Sequence, residues 1–472
     1  MSPGSRRSLL RRAGITGLGL AGAGVGMDVL APIVAPPAWD IDPNPSYWSR
    51  ALPPANGVPL PARVEADVVI VGGGFTGLST AYYLRQASPG RKVVVIEAQR
   101  CGNGASGRNG AMLLTSTADR YLVAGTEPEL DRRLHALTVE NIAQLRVLQA
   151  RFGIDAQIDT PGALIVTEDV QAAAAARETA QQLGIAGLPV RWLSATQTAQ
   201  AIGTRAYAGA LLDQPAGQVH PGRLVALWKR ACDAVGVVIY EGAAVTHVEH
   251  GALHRLQLAN GTQVQAPVLV LATNAYTARL GYLQRAVTPV WHTVAMTTPL
   301  SEVDLERLGW TTRAPYSDDH IDPWYLGLTR DRRVHIGGGA AYYGMNGSPP
   351  SRAWFEERVA QLRAKLVALY PSLADVSFDA AWSGAVDMTL DEGPALGRLD
   401  GAGELFYALG FSGHGVNLTS VFGRILADCI AGAQARWEWL PYLNRLPPGV
   451  PNEPLRWLGL RAGLSLLHKI QP

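Results

Sequence analysis

The chain has 472 residues, more than a single hydrophobic core usually organises, so two domains are expected. With 47% hydrophobic residues, 17% charged residues and a net charge of +2, it reads as a globular chain with no electrostatic footing for nucleic acid. Cys101, Cys232 and Cys429 are too scattered for a disulfide framework or a zinc site, and no uncharged apolar run reaches the roughly eighteen residues of a membrane span.

Ser5-Arg6-Arg7-Ser8-Leu9-Leu10-Arg11, followed by the Gly/Ala-rich stretch Ala13 to Val25, has the pattern of a twin-arginine (Tat) signal. Residues 1–35 are therefore expected to engage the Tat translocase and direct the chain to the periplasm. A disordered basic leader on a cytoplasmic protein is the alternative. Ala31 and Ala35 are poor cleavage positions, each being followed by proline. Residues 36–65 are proline-rich and read as an extended lead-in without helix or strand.

The apolar run Asp67 to Val71 then meets Gly72-Gly73-Gly74-Phe75-Thr76-Gly77, which opens the amphipathic stretch Leu78 to Leu84. Gly72, Gly74 and Gly77 form a G-x-G-x-x-G between a strand and a helix, where a tight turn and close backbone approach require the absence of a Cβ. A second strand, Val93 to Ile96, ends in Glu97 and Ala98, placing an acid where a ribose hydroxyl would lie. A pyrophosphate would rest on the helix N-terminus, with Phe75 and Thr76 offering N–H groups. The arrangement predicts a dinucleotide site; a coincidental glycine turn is the alternative.

Further along, Glu127 to Phe152, Val170 to Leu183, Gly222 to Val235, Ala353 to Leu369 and Val416 to Ala431 have helical spacing. Thr160 to Thr167, Val237 to Tyr240, Ala243 to Val248, the wholly apolar Val268 to Ala272 and Leu405 to Leu409 read as strands. His254 to Leu258 and Thr262 to Gln265 flank Asn260-Gly261 as a hairpin. Val287 to Thr297, Trp324 to Thr329 and Val334 to Gly337 read as a second sheet. β-α units alternating with antiparallel segments indicate a dinucleotide fold interrupted by a substrate domain.

Several blocks carry a resemblance: Ser46-Tyr47-Trp48, the glycine block, Gly104-Ala105-Ser106-Gly107-Arg108-Asn109-Gly110, Leu271-Ala272-Thr273-Asn274-Ala275-Tyr276, Asp391-Glu392-Gly393-Pro394, and Gly410 to Asn417 with its Gly413-His414-Gly415-Val416 core. Their ordered set resembles the FAD-dependent D-amino-acid oxidase/glycine oxidase/sarcosine oxidase superfamily, within it the γ-glutamylputrescine oxidoreductase-like enzymes. The resemblance implies an α/β plus α+β architecture, with a Rossmann-like FAD-binding domain interleaved with an antiparallel-sheet substrate domain. The implied FAD segments are 66–150, 205–285 and 380–435, the substrate segments 151–204 and 286–379, and the tail 436–472. It further implies that 104–110 passes beside the flavin, that Ala272 and Thr273 end a strand near it, and that the Val245 backbone pairs with adenine. Gly413 to Val416 would face the flavin N1–C2=O edge, where a helix N-terminus favours the negative charge of the reduced ring.

Departures from the resemblance are informative. Relatives often place a carboxylate-clamping arginine in the strand that here reads Trp324-Tyr325-Leu326-Gly327-Leu328; Arg330, Arg332 and Arg333 lie beyond it, in a turn. Trp382 stands where sarcosine oxidase-like enzymes attach flavin through cysteine, and 104–110 holds no histidine, so FAD is expected to be noncovalent. The only lysines are Lys92, Lys229, Lys365 and Lys469, so the oxygen-activating lysine of such oxidases is expected to be missing. The expected activity is oxidation of an amine C–N bond by hydride transfer to FAD, giving an imine that hydrolyses. Oxygen or a quinone would accept the electrons, and a catalytically silent flavoprotein module is the rival from another class. Trp324 and Tyr325 are candidate pocket walls, or else core, and His414 is a candidate group at the flavin edge, or else a loop residue.

Overall fold

The computed structural model describes residues 44–470 apart from 56, 121–126, 400 and 402. The twin-arginine segment lies outside the described residues. No helix among the described residues is long and apolar enough to cross a membrane.

Strands from three distant parts of the chain build a six-stranded sheet, in the order Ala395–Arg398, Glu404–Leu409, Val268–Leu271, Val68–Val71, Val93–Ile96, Val238–Tyr240. All its pairs are parallel except the outermost, Ala395–Arg398 with Glu404–Leu409. Val68–Val71 and Val93–Ile96 are buried at every position, as continuous β-branched runs covered on both faces must be. Helices Phe75–Ala87, Pro221–Ala234 and Gly415–Ile430 pack on one face. A four-stranded sheet, Arg63–Glu65, Gln263–Ala266, His254–Leu258 and Val245–Glu249, helps cover the other. Its hairpin closes through Ala259, Asn260 and Gly261, with Gly261 at φ 88°.

The second domain is an eight-stranded sheet, in the order Phe378–Met388, Thr288–Thr297, Val334–Gly338, Trp324–Leu328, Tyr316–Asp318, Ala163–Thr167, Gly209–Asp213, Val190–Ser194. It is antiparallel except between Tyr316–Asp318 and Ala163–Thr167. Helix Arg352–Leu369 packs against it through Leu362, Leu366 and Leu369.

Several expectations change. Gly209–Asp213 lies in a segment expected to be FAD-binding, 205–285, and Phe378–Met388 runs from residue 380 into another, 380–435, yet both pair in the second sheet. The lead-in is not featureless: Tyr47–Ala51 is a 3-10 turn around the buried Trp48, and Arg63–Glu65 is a strand. The tail carries the helix Leu455–Ile470.

Candidate active site

The two domains enclose a continuous cavity of about 1850 Å³. Its cofactor-side end is built from loop glycines. Gly72 sits at φ 111°, and a Cβ there would collide with the Ala272 carbonyl; one on Gly77 would overlap the Gly72 carbonyl. Only glycine lets the Val68–Val71 strand, the Phe75–Ala87 helix and the Ala272 turn converge so closely.

Two helix N-termini open onto this end. Gly74 caps Phe75–Ala87 and His414 caps Gly415–Ile430, neither closing the helix with a side-chain cap bond. The helices are in backbone contact, because Gly423 packs against Ser79. Their N–H groups and dipoles favour bound negative charge. At the end of its strand, Glu97 accepts from the Gly73 N–H at 2.7 Å and the Gln99 N–H at 3.0 Å. Burial raises its pKa and those two donors oppose the rise.

Residues 104–110 are clamped from both sides. Ser46 Oγ donates to the Gly107 carbonyl at 2.5 Å, Trp48 Nε1 to Asn109 O at 2.9 Å, and Trp382 Nε1 to Arg108 O at 2.9 Å. Within the loop, Asn109 donates to the Ala105 and Ser106 carbonyls, and Ser106 Oγ accepts from the Phe75 N–H at 2.9 Å. Arg108 is buried and donates to the carbonyls of Asn103, Asn44 and Ser383, so its guanidinium ties the lead-in and second sheet to the loop.

The opposite wall is one face of the second sheet. Val290, His292 and Val294 alternate along Thr288–Thr297, and Tyr325 projects from Trp324–Leu328. Tyr325 packs across the Cα atoms of Gly110 and Gly337, where a Cβ would meet its ring. Its hydroxyl makes no hydrogen bond among the described residues, and burial raises its pKa. Leu326 and Gly327 stand where the resemblance implies an arginine; Leu326 is buried in the core of the substrate domain, and Gly327 is covered by the imidazole of its cross-strand partner His335. That ring hydrogen-bonds the Gly110 carbonyl at 3.0 Å through Nε2, and burial lowers its pKa to about 4, so it is neutral.

Of the expected cofactor residues, Gly72, Gly74, Phe75, Thr76, Glu97, Ala98, Gly104, Ala105, Ser106, Arg108, Asn109, Gly110, Val245, Ala272, Thr273, Gly413, His414, Gly415 and Val416 all line the cavity. Gly77 lies behind it as a packing residue. Tyr325 lines it, but Trp324 does not. Strand alternation turns Trp324 to the opposite face, where Arg358 stacks over it at 4.6 Å. Arg330 pairs with Asp155 and Asp159, Arg332 with Glu302, and Arg333 with Asp331 and Asp379; none reaches the cavity.

Sequence reading missed Asp387, His292 and Asp322. Asp387 is fully buried, and its Oδ2 accepts from the N–H groups of Gly410 and Phe411. The Asn274 amide, turned with its NH2 toward the carboxylate, donates to Oδ1 at 3.1 Å. Asn274 and Ser412 both have positive φ, at 50° and 47°, so Asp387 holds two strained turns at the cavity rim. His292 and Asp322 carry no sequence motif. Periodicity along Val287 to Thr297 could have put His292 on the same face as Val290 and Val294.

The chain matches the family model described as FAD dependent oxidoreductase (DAO) over residues 67–429. It is 32% identical to γ-glutamylputrescine oxidoreductase of Escherichia coli K12 over 398 residues, covering 83% of this chain and 89% of that one. It is 26% identical to glycine oxidase of Geobacillus kaustophilus over 395 residues, covering 80% and 96%. The crystal structure of glycine oxidase from that organism superposes with a TM-score of 0.70 at 23% identity, covering 82% of this chain and all of that one. The glycine cradle and paired helix N-termini fit FAD, the cofactor of this family. The chain belongs to the DAO family of FAD-dependent oxidoreductases.

Proposed function

We propose that this protein oxidises the C–N bond of an amine that carries no α-carboxylate. One observation carries the reading: the sheet position where a carboxylate-binding arginine would stand is Gly327, roofed by the neutral ring of His335. A carboxylate bound against this face would be desolvated without a cation, which costs several kcal/mol. The same wall instead presents the carboxylate of Asp322, suited to an ammonium. Three arginines line the cavity, Arg108 from the 104–110 loop, Arg279 from the Asn274–Leu280 turn and Arg456 from the C-terminal helix, and none comes from the sheet. Arg456 donates to the Pro451 and Gln284 carbonyls.

When bound, FAD supplies the hydride acceptor; the protein supplies orientation and electrostatics. Tyr325 and the valines Val290 and Val294 form a dry wall against which the substrate carbon chain packs. The names of the relatives, an oxidoreductase of γ-glutamylputrescine and a glycine oxidase, span both amine and amino-acid substrates. The test is anaerobic stopped-flow flavin reduction by an amine and by its α-carboxylated counterpart. The amine should reduce faster by at least tenfold; faster reduction by the amino acid, abolished in Arg279→Ala, would place a clamp on the other wall.

A second reading concerns the acceptor. No lysine lines the cavity among the described residues: Lys229 is buried against Glu241, and Lys365 pairs with Glu168. This supports a dehydrogenase that passes electrons to a quinone or carrier. Reoxidation of the reduced flavin by oxygen slower than by a soluble quinone supports that reading; the reverse order makes the protein an oxidase.

A further inference from the structure

We infer that His292, oriented by Asp322, is the base that takes the proton from the substrate ammonium before its C–H bond is broken. The inference rests on the amine reading above. An aliphatic amine reaches the site protonated at neutral pH, because its pKa lies near that of lysine, about 10.4. An ammonium has no nitrogen lone pair to stabilise the developing iminium, so a hydride cannot leave its α carbon until the proton has gone.

The geometry singles out one side chain for this. His292 lies mid-strand in Thr288–Thr297, opposite Gly384 of Phe378–Met388, so nothing on the neighbouring strand covers its ring. Two residues on, Val294 packs with Trp48, Ala111 and Trp382; His292 is where the sheet face emerges into the cavity. Its Nδ1 is buried without a hydrogen bond and lies 3.7 Å from Asp322 Oδ1. The Asp322 carboxylate is fixed in turn by the Ala341 N–H, which donates to Oδ2 at 2.5 Å. His292 Nε2 makes no hydrogen bond among the described residues. A carboxylate facing Nδ1 favours the tautomer protonated there, which leaves the Nε2 lone pair to accept a proton from the cavity side.

Other charged groups near the pair are committed elsewhere. Arg108 donates to backbone carbonyls, Arg358 donates to the Gly338 carbonyl from beneath Trp324, His335 is neutral, and Asp387 is held by the Gly410 and Phe411 N–H groups. The step balances simply. The substrate N–H bond breaks with its electrons left on nitrogen, the proton forms a bond to Nε2, and the positive charge moves onto an imidazolium facing Asp322. The neutral amine then has a lone pair to drive loss of hydride.

The experiment is anaerobic flavin reduction by a primary amine between pH 6 and 10, in wild type, His292→Asn and Asp322→Asn, each read as holoenzyme. At pH 7, His292→Asn should slow reduction by about a thousandfold or more, because only the small free-amine fraction then reacts. Its rate should then climb tenfold per pH unit toward the pKa of the free amine, a steeper rise than that of wild type. Asp322→Asn should lie between the two at pH 7, because the imidazolium formed on proton transfer has lost the carboxylate it faces. A His292→Asn rate within threefold of wild type at pH 7, with an unchanged profile, overturns the inference. Where His292→Asn fails to retain flavin, an Asp322→Asn profile identical to wild type overturns it equally. Reduction of wild type by amino acids but not by amines would instead bring down the amine reading, and this inference with it.

Discussion

Trp382 donates its indole N–H to the Arg108 carbonyl at 2.9 Å, joining the edge strand of the substrate sheet to the loop that borders the cofactor end. The ring is fully buried with Trp48, Ala111 and Val294 and does not line the cavity. The proposal that FAD is held without a covalent link, drawn from the resemblance that places a tethering cysteine at Trp382, is open to direct test. Acid precipitation should release all flavin into the supernatant; yellow colour left on the pellet would show a covalent link. Trp382→Ala should cost about 3–5 kcal/mol of stability, measured by denaturant unfolding of the holoenzyme.

Gly77 and Gly74 should fail differently. An alanine at 77 overlaps the Gly72 carbonyl, so it forces helix and strand apart and should lower the thermal midpoint sharply. A Cβ at 74 meets only Ser106 Oγ, at 2.9 Å, a side chain that can turn away. Gly74→Val should thus fold but bind FAD at least a hundredfold more weakly, since its branches project into the cavity. Full flavin occupancy in folded Gly74→Val would show that the cradle is not where the cofactor lies.

Asp387 should make stability depend on pH. Burial raises its pKa to about 7, against the pull of the Phe411 and Gly410 N–H groups, from about 3.9 in the unfolded chain. Between those values the folded state holds a proton that the unfolded state has lost. The contribution is full below pH 4, falls as pH rises and is gone above pH 7, with a ceiling of about 4 kcal/mol. Asp387→Asn, which cannot ionise, should gain stability relative to wild type on going from pH 5 to pH 8. Melting curves whose difference is independent of pH would show that Asp387 stays ionised throughout.

Arg330 should be dispensable for catalysis. It bridges Asp155 and Asp159 away from the cavity, with a partly exposed side chain. Arg330→Ala should leave flavin reduction within twofold of wild type and cost no more than about 1 kcal/mol of stability. A large rise in the substrate dissociation constant would mean that the arginine swings inward.

Replacing Arg6 and Arg7 with lysine tests export. The proposal that the twin-arginine pattern directs the chain to the periplasm predicts that the double variant accumulates in the cytoplasm with FAD bound. Unchanged export would make the pair incidental.

The sequence by itself determined whatever is local in cause. Gly72-Gly73-Gly74-Phe75-Thr76-Gly77 specifies its own turn, because the need for a missing Cβ is written in consecutive residues. Continuous apolar runs such as Val68 to Val71 and Val268 to Leu271 specify buried parallel strands. Helix bounds followed from periodicity to within a few residues, as at Pro128–Phe152 and Gly415–Ile430. The tertiary structure alone decided what depends on pairing across long separations. Gly209–Asp213 and Phe378–Met388 are short or irregular in pattern, and only their partners assign them to the substrate sheet. Which of Trp324 and Tyr325 faces the cavity depended on strand register, since a shift of one residue exchanges the two faces. The His292–Asp322 pair arises from a strand and a loop brought within 3.7 Å by the fold, a proximity that no spacing along the chain encodes.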